Sequence, residues 1–445
     1  MNIHANPPRT AAEEALVAHA DQRVAAEPVA GPLAGRLGEL RRAARDAFAA
    51  NGLPHRRVEE WKYTDLRALL RTAAPAPAPV STADVAAAGA EAVAFPDVRR
   101  ILFVNGQLVA SASDLSAEAG LSILPLSEAL ASGQGAIEKL NTLAPQKYDG
   151  VLALNTAFLD EGLVIRVDAG AHIARPVHIA HVVTGTEASA TYTRLLVDVG
   201  AGAKATFVES FQGTEGVAYQ TNDAVELFVG DGAHLDYVRV QEESLSALHL
   251  ATMMVEIGHE TKLHTFTLTT GAKASRVSLY GRFSGTHSHA GLRGATLLKG
   301  GQHADMTLLL DHAVSNCESR ELFKTVLADE SRGVFQGKIV VRQDAQKTDG
   351  RMMSQALLLG DEAEMDNKPE LEIFADDVQC GHGATAGSLD EDLLFYLKAR
   401  GIPAKEAEAL LIQAFVGEAI EFVENDGLRD ALIDRAEGWL KKRVA

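Results

Sequence analysis

Hydrophobic and polar positions change their period twice along this chain. Over the first 70 residues the period is helical: Leu33, Leu37, Leu40 and Ala44 fall on one stripe, with Arg36, Arg41, Arg42 and Arg45 mostly on other faces. A short aromatic cluster follows, Glu59-Glu60-Trp61-Lys62-Tyr63-Thr64. Ala73-Ala74-Pro75-Ala76-Pro77-Ala78-Pro79 then predicts a semi-rigid linker, because alternating proline favours extended backbone without internal hydrogen bonds. In Ile101-Leu102-Phe103-Val104-Asn105-Gly106-Gln107-Leu108-Val109 an Asn-Gly pair interrupts an apolar run, which predicts a hairpin. From about residue 150 the period becomes that of strands, and Gly162-Leu163-Val164-Ile165-Arg166-Val167 opens the series.

The strand region repeats itself. Val167-Asp168-Ala169-Gly170-Ala171-His172 resembles Val199-Gly200-Ala201-Gly202-Ala203-Lys204 and Val229-Gly230-Asp231-Gly232-Ala233-His234, with Gly-Ala steps of 32 (170 to 202) and 30 (202 to 232). Strands with small turn residues at that spacing suggest stacked coils, since one coil cannot bury its inward side chains alone. A β-sandwich or jelly roll also gives many short strands with glycine turns, and the pattern leaves both open. Strands continue through Gly337-Lys338-Ile339-Val340-Val341 and Glu370-Leu371-Glu372-Ile373-Phe374. After His382 the chain turns helical: Asp390 caps Leu393 to Arg400 and Gly401 ends it. A second helix, Ala404 to Val423, carries the wide stripe Leu411, Ile412, Phe415, Val416, Ala419, Ile420 and Val423.

Composition narrows the partners more than the fold. The 445 residues can bury a large core and hold two or three units. A formal charge of −18 argues against nucleic acid or an anionic membrane as the main partner. No run of about 18 apolar residues predicts a transmembrane helix. Met1-Asn2-Ile3-His4-Ala5-Asn6-Pro7-Pro8 lacks the charged-then-apolar order of a signal peptide. With two cysteines only, Cys317 and Cys380, a disulfide framework is not expected and a reducing cytoplasm is the simplest compartment.

Phosphate-binding motifs fail on context. Gly200-Ala201-Gly202-Ala203-Lys204-Ala205 leads into a strand-like run rather than a helix, which removes the helix N-terminus a pyrophosphate needs. Gly333-Val334-Phe335-Gln336-Gly337-Lys338-Ile339 is one residue short of a P-loop and has no Ser or Thr after the lysine. Gly285-Thr286-His287-Ser288-His289 places two imidazoles on one face of an expected strand, the beginning of a cupin-like metal set. No glutamate follows before Glu318, and His303 and His312 could join only through folding, so structural histidines are the simpler reading. Cys317, in a polar stretch, reads as a small packing residue.

Cys380-Gly381-His382 differs, because an extended backbone points both side chains the same way and both are ligands suited to iron or zinc. Asp361, Glu362, Glu364, Asp366, Glu370, Glu372, Asp376 and Asp377 precede them, a field that would attract cations. The alternative is a tight turn with a buried cysteine and a surface histidine, and two ligands do not complete a site.

Several strings together resemble the SufB/SufD family of the SUF iron–sulfur cluster assembly system. They are Trp61-Lys62-Tyr63-Thr64, Asn155-Thr156-Ala157-Phe158, Asn316-Cys317-Glu318-Ser319-Arg320-Glu321-Leu322-Phe323-Lys324 and Phe335-Gln336-Gly337-Lys338-Ile339. Most specific is Lys368-Pro369-Glu370-Leu371-Glu372-Ile373-Phe374-Ala375-Asp376-Asp377-Val378 running into Cys380-Gly381-His382-Gly383-Ala384-Thr385, followed by Leu394-Phe395-Tyr396-Leu397 and Arg400-Gly401-Ile402. SufB-type chains flank the corresponding histidine with glutamates and carry a reactive cysteine near the position of Ser354. Here Gly381 and Gly383 flank His382 and Ser354 offers no thiol, which favours the SufD-type branch over a SufB-like sibling.

The resemblance implies a mainly β fold, a right-handed parallel β-helix between helical terminal domains. The units expected are residues 1–95 (helical domain and linker), 96–385 (β-helix core) and 386–445 (C-terminal helices). It implies a non-catalytic scaffold in a complex with a SufB-type subunit and a SufC-type ABC ATPase, or a homodimer when alone. His382, with Cys380 as neighbouring ligand or structural thiol, would hold transient iron or a nascent iron–sulfur cluster at the SufB interface. Leu411, Phe415, Val416 and Ile420 would contribute to docking SufC or pack on the chain's own solenoid. Two other classes stand beside this: a β-helix carbohydrate-active enzyme, and a free-standing metal-binding protein using His287 and His289.

Overall fold

The computed structural model describes residues 8–25 and 32–444, so most of the leader expectation, residues 1–7, lies outside the described residues. Strands alternate between two facing sheets. The first holds Arg99–Val104, Val177–Val183, Lys204–Gly213, His234–Gln241, Lys262–Thr269, His289–Leu298, Glu318–Leu327, Asp349–Leu358 and Gln379–Gly387, neighbours in that order. The second holds Leu121–Pro125, Glu161–Val167, Ala190–Val199, Gln220–Val229, Leu248–Ile257, Ala274–Phe283, His303–His312, Arg332–Val341 and Glu364–Ile373.

Successive strands of one sheet are parallel and one coil apart, as in Lys262↔His234 and Leu248↔Gln220. The fold is a parallel β-solenoid with helices at both termini, and the antiparallel pairing of a sandwich is confined to its first turn. There Phe103 faces Leu108 across Asn105-Gly106, whose φ values of 50° and 73° make the expected hairpin turn.

The repeat seen in the sequence is a column of stacked turns. Gly170, Gly202 and Gly232 have φ of 72°, 67° and 68°, and each donates its N–H to the next coil, to the carbonyls of Ala201, Asp231 and His259. Side chains alternate across each strand: Leu235 and Tyr237 fill the solenoid interior, and Val238 and Val240 face outward into a second apolar layer. Strands of a parallel sheet covered on both sides are apolar on both faces, which explains why plain alternation is weak here. The C-terminal helices Ala404–Ile420 and Asp426–Val444 cover the first sheet, packing Ile412, Val416, Ile420, Leu432 and Trp439 on Phe266, Leu268 and Leu297. The N-terminal helices Ala11–Ala25 and Ala34–Asn51 cover the second, through Leu16 and Phe48 near Leu250 and Leu37 near Leu196.

Two local expectations change. The strand period expected from about residue 150 begins only at Glu161–Val167, because residues 150 to 157 form a helix that Asp149 caps by accepting from the N–H groups of Val151 (2.9 Å) and Leu152 (3.1 Å). The proline segment is extended but tethered: the Pro75 carbonyl accepts from Ala190 N (2.8 Å), that of Thr72 from Gln220 (2.8 Å) and that of Ala78 from Gln107 (3.0 Å).

Candidate functional site

The solenoid ends without a cap. Glu364–Ile373 and Gln379–Gly387 are the last strands of their sheets, and each has a single strand neighbour. Their outer backbone edges and much of their side-chain surface are uncovered, with Ile373 41% and Phe374 59% exposed. An uncovered strand edge of this kind leaves backbone groups for a partner to pair with, although the charged residues and Pro369 of Glu364–Ile373 blunt it against unspecific pairing.

Cys380 and His382 lie on Gln379–Gly387, paired with Gly350 and Met352 of the neighbouring strand. Two residues apart on a strand, they point to one face. Cys380 is half-buried against the interior core, where Gly350 leaves room: a Cβ there would sit 3.7 Å from Sγ. Burial raises its thiol above the ordinary range, and Asp349 and Glu321 add to the rise, so it is held as the neutral thiol. His382 is exposed and makes no hydrogen bond or ion pair among the described residues. Gly383 keeps the strand close to Met353, whose Cε would lie 2.8 Å from a Cβ, whereas Gly381 faces open space. Ser354 is buried and donates to Asn367 Oδ1 at 2.7 Å.

One position below His382 in the same row are Met352 and then Glu321. Glu321 is 2% exposed and neither carboxylate oxygen has a hydrogen-bond partner among the described residues. Burial pushes its pKa up to about 8, offset only in part by the nearby Ser319 hydroxyl, its own backbone N–H and, more weakly, Arg320 and Arg293. A folded-state value above the unfolded 4.5 means that the unfolded chain releases a proton the fold retains. Stability should therefore fall as pH rises from about 4.5 to 8, by on the order of a few kcal/mol. Urea midpoints at pH 5 and pH 8 should converge in Glu321→Gln, and an unchanged pH slope in that variant would refute the assignment.

The other expected site residues are placed differently. His287 lies in a turn with φ 60°, not on a strand, so it cannot share a strand face with His289; its ring packs on His259 while that of His289 packs on His264. His303 contacts Thr64 Oγ1 at 2.9 Å and buried His312 contacts Ser319 Oγ at 3.0 Å, both structural roles. Cys317 is buried, with Sγ 3.4 Å from the Gly285 carbonyl. Several of the acids before Cys380 are already paired: Asp366 with Arg332, Glu370 with Lys368, Glu372 with Lys338 and Asp377 with Lys347. Their attraction for cations is correspondingly reduced.

Of the docking stripe, Val416 and Ile420 are wholly inside the chain's own core, and Leu411 and Phe415 stay half-buried, Phe415 under the Lys324 ammonium at 4.5 Å. Helices on a covered sheet bury the centre of their stripe, so Val416 and Ile420 follow the second of the two alternatives, packing on the chain's own solenoid. The exposed apolar surface sits instead on the helix Glu391–Ala399: Leu393 51%, Phe395 71% and Tyr396 53%. The signal was present, because five consecutive apolar residues, Leu393 to Leu397, cannot all face one side of a helix. Asp390 caps it through Leu393 N and Gly401 (φ 88°) follows its end, as expected.

Neither glycine motif forms a phosphate cradle: Gly200–Ala205 turns into the strand Lys204–Gly213, and Gly333–Ile339 lies within the strand Arg332–Val341. Residues of several strings that carry the resemblance are instead tied into the fold. Trp61 stacks on the Arg276 guanidinium at 3.8 Å, Arg276 pairs with Asp305, which also bonds Thr64, and Gln336 donates to the Glu60 carbonyl at 3.1 Å. Asn155 donates to the carbonyls of Thr193 and Asn222 and accepts from Arg194 at 3.0 Å.

The chain is a parallel solenoid between helical modules, with an open last turn bearing an exposed imidazole. Family models match two stretches: "SUF system FeS cluster assembly, SufBD core domain" over residues 181–415 and "SufBD protein N-terminal region" over 27–179. The chain belongs to the SufB/SufD family of iron–sulfur cluster assembly proteins. It is 31% identical to the iron–sulfur cluster assembly protein SufD of Escherichia coli (strain K12) over 394 residues, 86% of this chain and 88% of that one. It is also 31% identical to a SufBD family protein of Synechocystis over 412 residues, 89% of each.

Proposed function

We propose that this chain is the SufD-type scaffold of a SufBCD-type complex in the cytoplasm, in which it performs no catalysis of its own. The open end of the solenoid pairs with a SufB-type subunit, and His382 there holds iron, or a nascent cluster, as cargo. A neutral imidazole binds iron while a thiolate of the partner supplies another contact. The uncovered final strands, with an unpartnered imidazole on the last of them, carry this reading. Cys380 is the structural neighbour, since its buried neutral thiol is a poor ligand. ATP is hydrolysed by a SufC-type ATPase docked on the exposed face of Glu391–Ala399.

The test is His382→Ala, co-expressed with SufB-type and SufC-type partners. The complex should purify with unchanged composition while its cluster content after reconstitution drops about tenfold or more. Cys380→Ser should retain most of the cluster. Full cluster content in His382→Ala would remove the histidine from the site.

A further inference from the structure

The outer face of the first sheet carries a second set of ligand-type side chains, remote in sequence from Cys380 and His382. His234 and Asp236 project outward from one strand on either side of the inward Leu235, and His264 lies beside Asp236 on the next coil. Glu424 reaches them from the turn between the helices Ala404–Ile420 and Asp426–Val444. His264 Nδ1 is 3.2 Å from Asp236 Oδ1 and 3.7 Å from Glu424 Oε1. His234 Nε2 is 3.4 Å from Asp236 Oδ1 and 3.6 Å from Glu424 Oε1. All four donor atoms lie within 4.8 Å of one another.

Four donors at about 2.0–2.1 Å from a tetrahedral ion are about 3.4 Å apart, and the four imidazole–carboxylate separations, 3.2, 3.4, 3.6 and 3.7 Å, scatter around that value. An ordinary ion-pair cluster accounts for them less well. His234 Nε2 is shielded from solvent yet has no hydrogen-bond partner among the described residues, although two carboxylate oxygens face it. The residue beside His264 in the row is Gly291, where a Cβ would come 2.6 Å from Arg293 Nη1 and 3.1 Å from the imidazole Cδ2, so the glycine lets the Arg293 guanidinium lie beside His264. The charges balance, since two carboxylates and two neutral imidazoles around a divalent ion sum to zero. Two cations compete with an ion here: Lys204, 3.7 Å from the other oxygen of Glu424, and Arg293 beside His264.

We propose that His234, Asp236, His264 and Glu424 form a binding site for a borderline divalent first-row ion, zinc or ferrous iron, that clips the C-terminal helices to the solenoid. Imidazole with carboxylate suits these ions, and a hard ion such as magnesium would prefer an all-oxygen shell. The inference is independent of the role given to His382.

Isothermal titration of the metal-stripped full chain with Zn²⁺, and anaerobically with Fe²⁺, separates the two ions, and Co²⁺ serves as the optical probe. One ion per chain should bind at this site, with the strong visible absorption of four-coordinate cobalt. His264→Ala and Glu424→Ala should each weaken it about tenfold or more and abolish that absorption. Glu424 is half-exposed, so its variant tests the site even if His264→Ala folds poorly. His287→Ala, in a nearby turn, should bind as the parent does, and repeating the titrations on His382→Ala discounts any iron at the open end. No stoichiometric binding by the parent, or undiminished binding in Glu424→Ala and His264→Ala, would overturn the proposal.

Discussion

Arg239→Met should lose about 3–5 kcal/mol of folding stability at neutral pH, and most of that loss should disappear as the pH falls toward 4. Arg239 lies inside the solenoid, where its guanidinium is 2.9 Å from Asp223 and 3.3 Å from Glu209, both fully enclosed. Burial alone would lower the pKa of this cation, but the two carboxylates more than reverse that and keep it charged. Burial acts to raise the Glu209 carboxyl too, and Arg239 and His181 overcome it, leaving that group below its ordinary range. At Asp223 burial wins, against Arg239 and with Glu209 repelling it, and its pKa is raised.

Removing the guanidinium leaves two buried carboxyls with nothing of opposite charge beside them except imidazoles. His249 lies 3.6 Å from Asp223 and is itself committed to Glu243 at 2.7 Å. Both acids then take folded-state pKa values above their unfolded ones. They destabilise the fold wherever the unfolded chain would be ionised, and cease to do so in acid. Adding Glu209→Gln and Asp223→Asn to Arg239→Met should restore much of the stability, because a removed ion pair costs far less than a broken one. Chemical denaturation at pH 4.5 and 7.5 measures both effects. A single variant within about 1 kcal/mol of the parent at both pH values would show that the pair is dispensable.

The second large effect is on assembly rather than folding. Phe395→Asp should leave the unfolding midpoint of the isolated chain almost unmoved, since the ring is 71% exposed. Capture of the SufC-type ATPase should nevertheless fall by about 100-fold, as expected for a central aromatic anchor replaced by a charge that the apolar contact must desolvate. Leu393 and Tyr396 belong to the same exposed face and should behave alike, whereas Val416→Ala, in the chain's own core, should lower stability by a cavity effect. Phe395→Asp that binds the ATPase with unchanged affinity would move the docking face elsewhere.

The coil length, the Asn105-Gly106 hairpin, the capped helix after Asp390 and the strand context of the two glycine motifs were all legible locally, because each depends on backbone chemistry within a few residues. The open end was partly legible: the spacing of Cys380 and His382 puts them on one strand face, and the acids around them are visible in the sequence. That several of those acids are paired with Arg332, Lys338, Lys347 and Lys368 was not, since most of the partners lie about one coil away. The shared strand face expected for His287 and His289 failed for a similar reason, while their reading as structural histidines was the simpler one throughout. Stacking of coils turned the chain between them, and His289 found its neighbour in His264 instead.

By itself, then, the order of residues determined that the middle of this chain is built of short strands repeating about every 30 residues, with helices before and after, because period and turn chemistry are local properties; that the repeats stack as coils and not as a sandwich was decided by the pairing of strands. Only the tertiary structure decided which side chains meet across coils. It buried Arg239 between two acids, sank Val416 and Ile420 into the core while leaving Phe395 outside, and brought Glu424 from the last helices to His234 and His264. Such contacts are set by register between coils and by where a helix lies on a sheet, quantities that no single segment contains.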